Sequence, residues 1–98
     1  MMKTEPDGKR WTTHAPGADL DYSVNWSDWL ADDETIVDSD WTVTTGITLS
    51  RMLLIGGNLA SVFAAGGVEG QNYVLKNTIT TSAGRVDSRT ITLRCRVR

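Results

Sequence analysis

Among 98 residues there is one cysteine, Cys95, so no internal disulfide can form. Its place on the apolar side of a closing strand predicts a buried, inert thiol rather than a nucleophile. There is one histidine, His14. A Ser-His-Asp triad or a histidine-based metal site needs a positioned imidazole with partners at workable spacing, and none is visible; His14 reads as a surface histidine in an irregular segment. No apolar run approaches the length of a membrane span, and Met1-Met2-Lys3-Thr4-Glu5 leads into no signal-peptide core. The expectation is a soluble protein made in the cytosol, with no membrane partner.

Other chemical signatures are missing too. The run Asp32-Asp33-Glu34 lacks the alternating ligands and glycine of a calcium loop and reads as a solvated turn. Gly56-Gly57 and Gly66-Gly67 are followed by no Lys-Ser/Thr pair and open no helix, so they are not phosphate-binding loops. Asp38 and Asp40 share one strand face, but a domain this small offers little wall for the cleft that paired catalytic carboxylates require. No catalytic residue, cofactor or metal site is assigned, and no enzyme activity is expected.

Charge is present but unevenly spread. Residues 1–50 hold ten acids against three bases, a balance of −7, and residues 51–98 hold seven bases against two acids, a balance of +5. Two readings stand: acidic and basic strands pair within one molecule, or an acidic face of one copy meets a basic face of the next in a ring or stack. Arg94 and Arg96 alternate along the last strand. They read as protection of a sheet edge or as a dock for an acidic neighbour. The acidic isoelectric point, about 5.2, and the lack of interleaved aromatics argue against direct nucleic-acid binding.

The strongest structural signal lies in residues 70–98. Tyr73, Leu75, Asn77 and Ile79 fall on one side of a strand, and Ile91, Leu93, Cys95 and Val97 on one side of another, joined by a turn at Ser82-Ala83-Gly84. Upstream, Tyr22, Val24 and Trp26 mark a strand, and Ser27 to Ala31 a single turn that folds Trp29 and Leu30 over the core. In Thr35–Thr44, Val37, Ser39, Trp41 and Val43 are expected to share a face. The run Arg51-Met52-Leu53-Leu54-Ile55 loses its alternation, which predicts either a strand buried on both sides or one that covers a partner contact. Tyr73 follows a glycine-rich crossing, the setting of a tyrosine corner. About seven short strands with regular turns predict an all-β, antiparallel sandwich over residues 19–98 of the immunoglobulin/fibronectin III-like type, preceded by an extended arm, residues 1–18, with Trp11 as its anchor.

Several runs also resemble a known family. Asp21-Tyr22-Ser23-Val24-Asn25-Trp26-Ser27-Asp28-Trp29-Leu30, then Asp33-Glu34-Thr35-Ile36 and Trp41-Thr42-Val43, resemble the front half of small tailed-phage proteins, the phage fiber-tail adaptors. Gly66-Gly67-Val68-Glu69-Gly70-Gln71-Asn72-Tyr73 and Ile79-Thr80-Thr81-Ser82-Ala83-Gly84-Arg85 are similar to its second half. Asn25 stands where aspartate is usual, and Asp33-Glu34 where glycine-aspartate is common. The resemblance covers roughly residues 19–98 and implies a non-enzymatic virion protein. It would join fibres or tail parts to the connector in the neck or tail. The charge asymmetry adds the expectation of a homo-oligomeric ring, first-half acids of one copy facing second-half arginines of the next. Candidate interface residues are Trp11, Asp38, Asp40, Arg51, Met52, Leu54, Arg94 and Arg96. An alternative is a carbohydrate-binding or adhesive module with Trp26 and Trp29 as its platform.

Overall fold

The computed structural model describes residues 3–4 and 10–97. Every regular element among them is a strand: β1 (Lys3–Thr4), β2 (Arg10–His14), β3 (Asp19–Asn25), β4 (Ile36–Val43), β5 (Ile47–Ile55), β6 (Leu59–Gly66), β7 (Asn72–Thr81) and β8 (Val86–Cys95). One sheet has the order β1-β2-β8-β7-β4 and the other β3-β6-β5. All pairings are antiparallel except that of β2 with β8, which is parallel. The expected all-β sandwich is therefore the fold, with seven strands of five residues or more.

Alternation places the core. Tyr73, Leu75, Asn77 and Ile79 of β7 are buried, as are Ile91, Leu93 and Cys95 of β8, and Tyr22 and Val24 of β3 with Trp26 just beyond it. Against them β6 sets the small residues Ala60, Val62 and Ala64, all fully buried, which lets the two layers approach closely. Trp26 crosses between the layers: its Nε1–H donates to Asn77 Oδ1 at 2.9 Å, and the Asn77 amide donates to Ser39 Oγ (2.9 Å) and to the Asp40 carbonyl (3.1 Å). A buried amide is tolerated here because its donors and acceptor are met.

At the opposite end, the glycine-rich crossing between β6 and β7 closes the core around one ring. The Tyr73 hydroxyl accepts the Val68 N–H at 2.9 Å, five residues upstream. A Cβ on Gly46 would lie 2.7 Å from the Tyr73 ring, and one on Gly67 would lie 2.9 Å from Cys95 Sγ. Both glycines have positive φ, so space and backbone demand glycine together.

Four expectations are corrected. First, Arg10–His14 is a strand, and His14 is fully buried rather than on the surface. Its Nδ1 lies 2.5 Å from the Tyr22 hydroxyl, and Nε2 lies 3.1 Å from both the Ala18 and Gly66 carbonyls. Two carbonyl partners require Nε2 to carry a proton. Second, β8 is not an edge, because β2 covers its outer side. Third, a bulge between Ile36 and Asp38 resets the alternation of β4, so that Ile36 and Trp41 both face inward while Val37 is exposed. Fourth, Val97 lies beyond the end of β8 and is exposed, not part of the core face.

Candidate functional site

The run Arg51-Met52-Leu53-Leu54-Ile55 is not buried on both sides. It is exposed throughout, on β5, the outer strand of the three-stranded sheet. Met52, Leu53, Leu54 and Ile55 retain between 41% and 52% of their accessible surface, a continuous apolar edge. The register with β6 shifts between Ser50 and Leu53, and Arg51 within this bulge adopts φ 51°. A left-handed conformation is unfavourable for arginine, and its consequence is directional. The guanidinium swings onto the Phe63 ring, 3.7 Å from its centroid, and bonds Asp19 Oδ2 at 2.8 Å. The only charge on β5 is thereby carried away from the strand's outer margin.

Beside β5 stands β4, the outer strand of the other sheet. The two strands border a groove of about 210 Å³ lined by Val37, Asp38, Ser39, Met52, Leu53 and Leu54. Asp38 and Asp40 are exposed next to it, opposite Thr80 and Thr78 of β7. Of the sequence-predicted residues, Asp38, Met52 and Leu54 thus share one surface, with Asp40 one step along the strand. Arg51 is held on the neighbouring sheet face.

Trp11 and Arg94 meet elsewhere. The Arg94 guanidinium lies 4.1 Å from the Trp11 ring centroid, so Trp11 is half-buried against β8 instead of reaching out as an isolated anchor. Arg96 is exposed just past β8, its guanidinium bonded to the Cys95 carbonyl at 2.8 Å.

A further cluster at the hairpin tip was hidden in what read as a solvated acidic turn. Glu34 is buried, paired with Arg85, and accepts from the Thr81 hydroxyl and, at 3.0 Å, from the Ala31 N–H. The Glu34 N–H returns a bond to the Ala31 carbonyl at 3.0 Å. The bonds from Arg85, then those from Ala31 and Thr81, pull the carboxyl from its ordinary 4.5 down to about 2. The three-residue spacing from Ala31 to Glu34, suited to such reciprocal bonding, was the available signal. Arg85 also lies 4.0 Å above the Trp29 ring centroid, while the Trp29 ring meets Trp26 edge-on at 5.4 Å. Trp26 is fully buried, and Arg85 covers one face of the half-buried Trp29 ring.

Much of the charge asymmetry is spent inside the molecule. Arg51–Asp19, Arg85–Glu34 and Arg89–Asp28 each join a second-half arginine to a first-half acid. Among the described residues, no group of three or more His, Cys, Asp or Glu side chains converges as metal ligands would. What the arrangement offers is a sandwich with an uncharged apolar edge, Met52–Ile55, beside an acidic strand, which is equipment for contact.

No curated protein matches the chain. A family match does cover residues 14–94, starting earlier than the resemblance read from the motifs and ending four residues before Arg98. It runs from buried His14 to Arg94 and takes in the five strands from β3 to β7 and most of β8, together with the apolar edge and the Glu34–Arg85 cluster. On that match, the chain belongs to the family of podophage GP4 fiber-tail adaptor protein gp77.

Proposed function

We propose that this phage adaptor works in the neck or tail of the particle, where it joins fibres or tail parts to the connector as a homo-oligomeric ring. It would be made in the host cytoplasm of an infected cell or a prophage carrier, then built into the virion without turnover and without touching nucleic acid or membrane. The observation that carries this reading is the apolar edge of β5. Four adjacent exposed apolar residues on an open strand invite uncontrolled pairing unless another protein covers them. Heterologous contacts that close by rotation are the ordinary way for one such surface to generate a ring.

The rigid-spacer role fits an immunoglobulin-like reading of the sandwich. With β3 to β8 taken as strands B to G, β3-β6-β5 has the order B-E-D and β4-β7-β8 the order C-F-G. Buried Trp41 then sits on strand C, and Tyr73 makes the tyrosine corner at the start of strand F. The test is to add purified protein to isolated tails that lack it, and to follow its own association by sedimentation. Binding to tails together with concentration-dependent assembly is expected. A chain that stays monomeric at high concentration, whatever the salt, and ignores the tails would refute the proposal.

A further inference from the structure

Each open strand of a sandwich needs some device against indiscriminate pairing, and the devices here are unequal. β3 carries exposed Asp19 and Asp21, and β4 carries exposed Asp38 and Asp40. From Met52 onward β5 carries no charge, and Arg51 at the bulge lies across the exposed sheet face onto Phe63 and Asp19. The groove between β4 and β5 therefore pairs an apolar wall, Met52 to Leu54, with an acidic lip at Asp38. Its chemistry calls for an extended segment with an apolar side chain flanked by bases.

Such a segment stands at the far end of β8. Val97 is 74% exposed, the most exposed large apolar side chain among the described residues, with Arg96 before it and Arg98 after it in sequence. Its backbone is nonetheless fixed. The Val97 N–H donates to Glu69 Oε2 at 2.7 Å, and the Arg96 N–H donates to the His14 carbonyl at 3.1 Å. An apolar side chain held outward on a tethered backbone loses little freedom on docking, which favours a contact role over a frayed end.

We propose that Arg96-Val97 of one copy docks into the β4–β5 groove of the next, Val97 against Met52 and Leu54, and Arg96 against Asp38. The contact rests on the ring reading above and gives it a specific joint. It is heterologous, as a ring requires. Two β5 edges meeting about a two-fold axis would instead bring the Asp38 and Asp40 carboxylates of both copies together, which like charge opposes.

Sedimentation velocity of the full chain at low and high salt tests the joint. Association is expected to weaken with salt. Val97→Asp, Asp38→Arg and Arg96→Glu are each expected to lower the association constant at least about tenfold, with thermal unfolding of the monomer unchanged. Asp38→Arg combined with Arg96→Glu should restore association, because every joint then carries the reversed pair. If the wild-type chain assembles and all three variants assemble equally well, this joint is wrong while the ring survives. A dimer broken by Leu54→Asp yet indifferent to Arg96→Glu would instead establish two-fold pairing of β5 and overturn the proposal. Absence of any assembly, with no binding to isolated tails, would overturn both joint and ring.

Discussion

Replacing Asn77 by alanine removes the polar link between the layers. Asn77 is fully buried, accepts from Trp26 Nε1–H and donates to Ser39 and Asp40. In Asn77→Ala the Trp26 N–H remains buried without its acceptor, which costs about 1–3 kcal/mol. The space left by the amide adds roughly 1 kcal/mol, since surrounding strands relax only in part. Ser39 is half-buried, so its hydroxyl recovers a partner from water and contributes little. The sum is about 3 kcal/mol, and for a domain of this size each kcal/mol corresponds to about 4–8 °C in Tm. Urea unfolding followed by tryptophan fluorescence measures it, and a double-mutant cycle with Trp26→Phe isolates the bond, with an expected coupling of about 1–2 kcal/mol. A loss below about 0.5 kcal/mol with no coupling would refute the claim that this amide ties the sheets.

Three further outcomes follow from the same structure. The Glu34 carboxyl is held near 2 in the folded chain against an ordinary 4.5, so its contribution is complete above about pH 4.5 and is lost as pH falls toward 2. The wild-type unfolding midpoint should therefore drop across that window more steeply than that of Glu34→Gln, as thermal melts at a series of pH values would record. Tyr73→Phe leaves the Val68 N–H without its acceptor and should cost about 1–2 kcal/mol in urea unfolding with the fold retained. Gly67→Ala, forced against Cys95 Sγ at positive φ, should cost about 2 kcal/mol or more, while Gly84→Ala, with open space around it, should cost less.

The closing hairpin was legible in sequence because Tyr73, Leu75 and Ile79 of β7 and Ile91, Leu93 and Cys95 of β8 recur at period two, with Asn77 the polar member of the β7 series. β2 was not. Its inward residues are Thr12 and His14, and their burial depends on partners distant in sequence such as Gly66. Polar residues give no period-2 hydrophobic signal, and a parallel pairing with β8 leaves no local turn to mark it. The place of Arg94 inside a sheet was unreadable for the same reason. Val37 was placed on the wrong face because a bulge adds one residue to the count, and nothing in Ile36-Val37-Asp38 announces it. For β5, the uninterrupted apolar run was visible, but a run of that kind reads equally as core or contact. Only its position at the margin of the three-stranded sheet decides between them.

Hydrogen exchange of the β5 amides, compared between the free chain and the chain bound to phage tails, bears most directly on the claim that this edge is a working surface. In the free chain the outward amides of Met52–Ile55 should exchange fast, and binding should slow them markedly while β7 and β8 stay protected in both states. Unchanged exchange along Met52–Ile55 in tail-bound protein, with protection appearing elsewhere instead, would contradict it.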